Sequence, residues 1–251
     1  MRKLFLILTV NLLFLGCKSQ DSDKIRVFVS WPGAEYLPSY AWKINEDKPS
    51  GVEPVLIERI LSKAGYEYVF IKDYNPTKDG DVRIDVITDK EADVSIRSIT
   101  INKNREEKVN FSVPYFYDGI SAMVLDEDIK TTEDFDNKIV YAEVNTTAHD
   151  WAIKNLPNSK ILNYNDFRSN THPKDLMLQK KIDVFLGDRT LLMNIISENN
   201  EFIVLDETYT REAFGIAVDK DQPKLLRNIN SALLALEQSG ELEKLTSGFI
   251  K

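Results

Sequence analysis

"SIRSITINKNREEKVNFSVPYFYDG", residues Ser95 to Gly119, begins as a buried strand and ends in an aromatic, proline-marked run. Between those ends stand hydroxyls at Ser98 and Thr100, then a guanidinium at Arg105 among acids. A core strand has no use for that polar set. A site that grips a small anion does, because a planar guanidinium forks onto a carboxylate and hydroxyls add donors. Arg105 alone also fits a surface charge beside Glu106 and Glu107, where an ion pair contributes little.

The elements around this stretch alternate. Upstream, KIRVFVSW (24–31) is alternating and β-branched, which predicts a strand. VEPVLIERILSKAG (52–65) predicts a helix with Val55, Leu56, Ile60, Leu61 and Ala64 on one face, Pro54 in its first turn and Gly65 as its stop. YEYVFIK (66–72) and ADVSI (92–96) read as strands, with a short helix over VRIDVITDK (82–90). Downstream, strands at KIVYAEV (138–144), KILNY (160–164), DVFLGD (183–188) and FIVLD (202–206) alternate with helices that open near Thr146 or Thr147, Pro173 and Thr190. AFGIAVDK (213–220) predicts one more strand, and two helices split at Gly240 follow it. Two such units imply an α/β fold in two lobes, with a cleft at the strand ends where these sheets bind ligands.

Composition narrows the function. Hydrophobic residues at 43% and charged residues at 29% suit a globular chain, and a net charge of -8 argues against a nucleic-acid groove. His149 and His172 are the only histidines and Cys17 the only cysteine, so no transition-metal set and no internal disulfide is expected. Neither a Ser-His-Asp arrangement nor a phosphate-binding glycine loop is present. No cofactor is expected.

The first residues stand apart from the fold. Arg2 and Lys3 precede an apolar run, Leu4 to Leu15, that is shorter than the roughly 20 residues needed to span a bilayer. Leu13-Phe14-Leu15-Gly16-Cys17 resembles the lipobox of bacterial lipoproteins, with Phe14 where leucine is usual. The expectation is a signal peptide over 1–16, a lipid on Cys17 and a polar tether over 17–23. Removing the signal peptide takes the formal charge from -8 to -10.

The chain resembles the family 3 bacterial solute-binding proteins, the periplasmic amino-acid-binding type. Their G-x-T-I-T-x-x-R-x-x-x-V-x-F-S-x-P-Y signature is similar to the run from Ser98, Thr100 and Arg105 through Val109, Phe111, Ser112, Pro114 and Tyr115. Their G-T-T segment is matched by Asn145-Thr146-Thr147, with asparagine for glycine, and their D-A-x-x-x-D pattern by Asp183 to Asp188. Their C-terminal N-x-A-L-x-x-L-x-x-x-G-x-L pattern resembles Asn230, Ala232, Leu233, Leu236, Gly240 and Leu242.

The resemblance implies a two-lobed periplasmic-binding-protein fold of type 2, each lobe a mixed sheet flanked by helices. Lobe 1 would hold residues 24–116 and 218–251 and lobe 2 residues 117–217, with YFYDGISAMV and AFGIAVDK as hinge strands. It implies that Arg105 forks onto a ligand carboxylate, helped by Thr100 and Ser98. Asn145, Thr146 and Thr147 would receive that group from the other lobe. Asp188 would accept from the ligand's ammonium, although it also suits a cap for the helix near Thr190. Thr146 and Thr147 are helix caps in either case. Arg97 reads equally as a salt-bridge partner or as a second cation for a ligand with a second acid. Tyr40 and Trp42, in an aromatic loop, would cover the ligand's apolar part. The implied protein is a monomeric, exported, lipid-anchored binder of an amino acid or small carboxylate that serves an ABC-type permease. The alternatives are an enzyme resembling cyclohexadienyl dehydratases, with Glu143 or Asp188 as acid or base, and a lipoprotein that signals to a receptor.

Overall fold

In the computed structural model, the residues described are 24–30, 46–72, 74, 80–163, 166, 172–197 and 201–249. Cys17, Tyr40 and Trp42, expected as lipid site and ligand cover, lie outside them.

The chain begins with β1 (Ile25–Phe28), α1 (Val52–Lys63), β2 (Tyr68–Phe70), α2 (Val82–Thr88) and β3 (Val94–Ser95). β1 stops earlier than the strand expected to Trp31, because its parallel neighbours run out: Val27 registers with Phe70 and Phe28 with Ser95. α1 buries Leu56, Ile57, Ile60 and Leu61, but Val55 is 48% exposed, against the expected face. A rotation of about 100° per residue explains the correction, since Ile57 takes the place on the stripe that Val55 was given. After α3 (Lys103–Glu106) and β4 (Asn110–Phe111), the chain leaves this unit through β5 (Phe116–Asp118).

A second unit follows: β6 (Ile120–Val124), β7 (Ile139–Ala142), α4 (Thr147–Asn155), β8 (Lys160–Leu162), α5 (Pro173–Leu178), β9 (Val184–Asp188), α6 (Arg189–Ser197) and β10 (Ile203–Val204). The chain returns through β11 (Glu212–Phe214) to β12 (Ala217–Val218), then α7 (Pro223–Gln238) and α8 (Glu241–Thr246). The sheets run β2-β1-β3-β12-β4 and β10-β6-β9-β7-β8, with β11 and β5 paired between them. Both large sheets are mixed: β1 is parallel to β2 and β3, and β7 to β8 and β9, while β12 and β6 run antiparallel to their neighbours.

Each sheet has its own core. Val27, Ile57, Val94, Ile216 and the α7 residues Ile229 and Leu233 share one cluster, so the C-terminal helix packs back on the first unit. Ile120, Val140, Ala152 and Leu186 share another. The strand expected over 213–220 is therefore two short strands in different sheets. The outgoing crossing is equally tight: a Cβ on Gly119 would stand 2.3 Å from the carbonyl oxygen of Thr210, so only glycine lets these segments approach.

Candidate functional site

The strand ends of the two units face each other, and polar side chains meet there. Asn102 caps α3 by accepting from the Arg105 amide, which fixes where the arginine departs. The Arg105 side chain is buried, contrary to a surface-charge reading. Its Nε donates to Asp81 Oδ2 at 3.1 Å and its Nη2 lies 2.9 Å from the same oxygen. Nη1 donates to the Thr100 carbonyl at 2.8 Å, and Nη2 reaches the Asn145 carbonyl of the other unit at 3.2 Å.

Asp81 and Arg83 were not singled out in the sequence. Asp81 caps α2 by accepting from the Arg83 amide and takes two more bonds from the Arg83 guanidinium, at 2.7 and 2.9 Å. Burial alone would raise its carboxyl, but Arg83 and Arg105 outweigh burial and hold it below the ordinary carboxylate range. Arg83 also donates to the Asn145 carbonyl at 2.9 Å, and Asn145 Nδ2 returns a bond to the Gly80 carbonyl at 2.9 Å. Two guanidinium groups thus converge on one neutral oxygen. Asn145 holds that oxygen out with a left-handed backbone, φ 64°, which asparagine tolerates better than most residues.

The hydroxyls are oriented differently from expectation. The Thr100 hydroxyl was expected to donate toward a ligand; instead it and the Thr147 hydroxyl both donate to Glu212 Oε2, at 2.5 and 2.8 Å. Thr146 caps α4, accepting from the His149 amide and donating to the Glu143 carbonyl. With these hydroxyls committed, the donors left for an anion beside the guanidinium groups are backbone amides. The Thr147 and Ala148 amides lie in the first turn of α4, where a helix leaves its N–H groups without intrahelical partners and its positive end exposed. Thr100 bridges Phe214 while Ile101 and Gly215 make the flanking bonds, so the Thr100 amide points away from β11.

Ser98 is held in a left-handed conformation, φ 45°, with its amide on Glu53 Oε1 at 2.5 Å. Glu53 is fully buried and also accepts from Tyr115 at 2.5 Å, while its Oε2 has no hydrogen-bond partner. Burial lifts its carboxyl to about 7, with Tyr115, Ser98 and the Arg97 charge pulling the other way. Arg97 also acts on Glu143 across the cleft, where burial raises the carboxyl against bonds and charges including Tyr141, Arg97 and His149.

Asp188 ends β9, but it does not cap α6. Asp118 does that, accepting from the Thr190 amide at 3.2 Å and hydroxyl at 2.6 Å. Asp118 pairs in register with Glu212, and Asp188 with Ile120 one strand over. Burial, then Glu212 and Asp118, push the Asp188 carboxyl well above the usual range, against Arg83 and Arg105. Asp183 is structural, accepting from the Ile139 amide at 2.7 Å. Among the described residues no group of three His, Cys, Asp or Glu side chains could hold a metal ion. The site thus gathers two guanidinium groups held by Asp81 and, near them, a set of carboxyls formed by Glu212, Asp118 and Asp188.

Glu212 was missed, although its signal was present. It is in phase with Phe214 and Ile216, so strand alternation puts it on their buried face.

A family model for bacterial extracellular solute-binding proteins, family 3, matches residues 33–251. The L-cystine-binding protein TcyJ of Escherichia coli K12 is 28% identical over 213 residues, covering 83% of this chain and 77% of the relative. The amino-acid-binding protein AabA of Dichelobacter nodosus is 26% identical over 229 residues, 90% of this chain and 87% of the relative. The solved structure of an ancestral amino acid-binding protein, AncCDT-1, a precursor of cyclohexadienyl dehydratase, is 26% identical with a TM-score of 0.75, covering 91% of this chain and 96% of that one.

Proposed function

The chain belongs to the bacterial extracellular solute-binding proteins of family 3, and from that premise we propose that it captures an amino acid, or a similar small carboxylate, for an ABC-type importer. Lobe 1 is residues 24–116 with 218–251 and lobe 2 residues 117–217, save that Ile216 and Ala217 pack with the first sheet and move with lobe 1. β5 and β11 join the lobes, which close on the ligand. Residues 1–16 are a signal peptide, and a lipid on Cys17 holds the exported domain to a membrane through the 17–23 tether. Among the described residues no helix is long and apolar enough to cross a membrane.

The observation that carries the reading is the convergence of Arg105 and Arg83 on the Asn145 carbonyl, beside the first amides of α4. A carboxylate buried there loses its hydration and needs a paired cation and several donors. It would displace the Asn145 carbonyl from Arg105 and take the Thr100 amide from one lobe and the Thr147 amide from the other. Asp188 would receive the ammonium. The L-cystine in the name of the relative TcyJ carries a second amino-acid head, and Arg97 would meet such a second carboxylate. A thermal-shift screen over the amino acids, dicarboxylates and small peptides tests the proposal. A ligand at 100 times its Kd should add about 2.7 kcal/mol of stability, and a screen without any stabilising amino acid would contradict it.

One observation favours a second reading, a cleft lyase: the carboxyls of Asp188 and Glu143 are both raised, as a general acid requires. Incubation with a cyclohexadienyl acid decides between them, since a binding protein leaves it unchanged.

A further inference from the structure

We propose that Glu212 selects for the ligand's ammonium by tying together hydroxyls from both lobes, an inference that rests on the amino-acid-binding reading. Glu212 lies on the returning hinge strand and is 4% exposed. One of its oxygens, Oε2, takes the Thr100 hydroxyl from the first unit and the Thr147 hydroxyl from the second. The other oxygen takes the Thr210 hydroxyl at 3.1 Å, which fixes the rotamer from the segment just before its own strand. A single carboxyl oxygen therefore joins side chains from both sides of the cleft, and separating the lobes must break at least one of these bonds.

The same bonds decide what the cleft accepts. A hydroxyl has one proton; once donated, it offers only lone pairs. With their protons on Glu212, Thr100 and Thr147 present acceptors to anything that enters beside them. An ammonium, with three donors and no acceptor, fits those two hydroxyl oxygens, and a carboxylate finds no donor in them and is left with the backbone amides. Asp118, the strand partner of Glu212, and Asp188 add two more carboxyls near this one, while Arg105 and Arg83 are engaged by Asp81 and the Asn145 carbonyl. Glu212 is thus a positioning residue for selectivity: it sets the polarity of two side chains that a carboxylate would otherwise recruit as donors.

The amide of Glu212→Gln has nearly the same volume but can donate to one threonine, which frees a hydroxyl proton to face the cleft. The test is calorimetry on wild type and Glu212→Gln with L-cystine, L-arginine, L-glutamine and L-glutamate, each beside its desamino analogue. Wild type should prefer the amino acid by about 100-fold or more, and Glu212→Gln should narrow that ratio at least tenfold, the scale of a charge-assisted hydrogen bond. Glu212→Asp, which keeps an acceptor-only group, should restore most of the ratio. A merely structural glutamate would change both affinities together, so a ratio within threefold of wild type in Glu212→Gln overturns the proposal.

If wild type binds none of these probes, the amino-acid reading fails, and the cross-lobe tie is judged without ligand. Glu212→Ala and Thr147→Val should then couple by about tenfold in the urea-unfolding equilibrium constant, and strict additivity overturns it. If Glu212→Gln does not fold, Thr147→Val alone should lower amino-acid affinity by about tenfold, and unchanged affinity overturns the tie.

Discussion

Replacing Glu53 by glutamine should abolish a large part of the pH dependence of stability. The carboxyl is fully buried, and burial raises it from an ordinary 4.5 to about 7. Between those values the folded protein holds a proton that the unfolded chain has released, so stability falls as pH rises through the window. The full difference is about 3 kcal/mol, at about 1.4 kcal/mol per pKa unit. Glutamine keeps an acceptor for the Ser98 amide and Tyr115 hydroxyl and carries no charge, so it imitates the protonated acid. Urea unfolding of the domain at several pH values from 5 to 8.5 provides the assay. Glu53→Gln should match wild type near pH 5 within about 1 kcal/mol and exceed it by about 3 kcal/mol at pH 8.5. Asp188 and Glu143, whose carboxyls are also raised, add slope to both proteins and cancel in the difference. Parallel pH profiles would refute the reasoning, because they would mean that Glu53 is hydrated or paired in the folded state. The consequence reaches the site, since Glu53 holds the Ser98 turn from which Thr100 departs.

The raised Asp188 carboxyl predicts that an ammonium-bearing ligand displaces a proton; affinity should therefore climb with pH above the ordinary carboxylate range, and calorimetry in buffers of different ionisation enthalpy should detect the release. Asp188→Asn should remove that dependence, and a flat wild-type profile would count against it. Arg97→Ala should weaken a ligand with two carboxylates more than a neutral amino acid, and equal effects would return Arg97 to a structural role. Cys17→Ser should leave the membrane fraction or remain unprocessed; normal cleavage with full membrane retention would exclude the lipid.

The fold was legible where local chemistry and periodicity agree. Strand-helix alternation marked both sheets, and a Thr146 or Thr147 cap placed α4 correctly. The phase of α1 slipped because Val55 is as apolar as Ile57, and composition alone does not say which one faces a core. Around the site, Arg105 could be found because it stands five positions after Thr100 in the run that resembles the family signature, and Asn145 because it stands where that family's glycine does and tolerates the same positive φ. The competition between Asp118 and Asp188 to cap α6 could not be resolved locally. It depends on the register of β5 with β11 and of β6 with β9, which brings a residue 72 positions away onto Thr190. Glu212 eluded the reading for the same reason: its partners Thr100 and Thr147 lie 112 and 65 positions off.

Calorimetry of Arg105→Ala, with the ligand found by screening, tests the central claim most directly. By its neighbours in sequence Arg105 fits a surface charge that could be removed without structural cost, but it is buried and bonded to Asp81. The variant is therefore checked first for a folded circular-dichroism spectrum, and Arg105→Lys, which keeps charge without the fork, runs beside it. A desolvated charge pair that loses one member typically forfeits about 2–5 kcal/mol, so affinity should drop roughly 30-fold to several thousand-fold. Lysine should recover only part of it. Folded Arg105→Ala that binds within about threefold of wild type would contradict the account, and the carboxylate would then be held elsewhere.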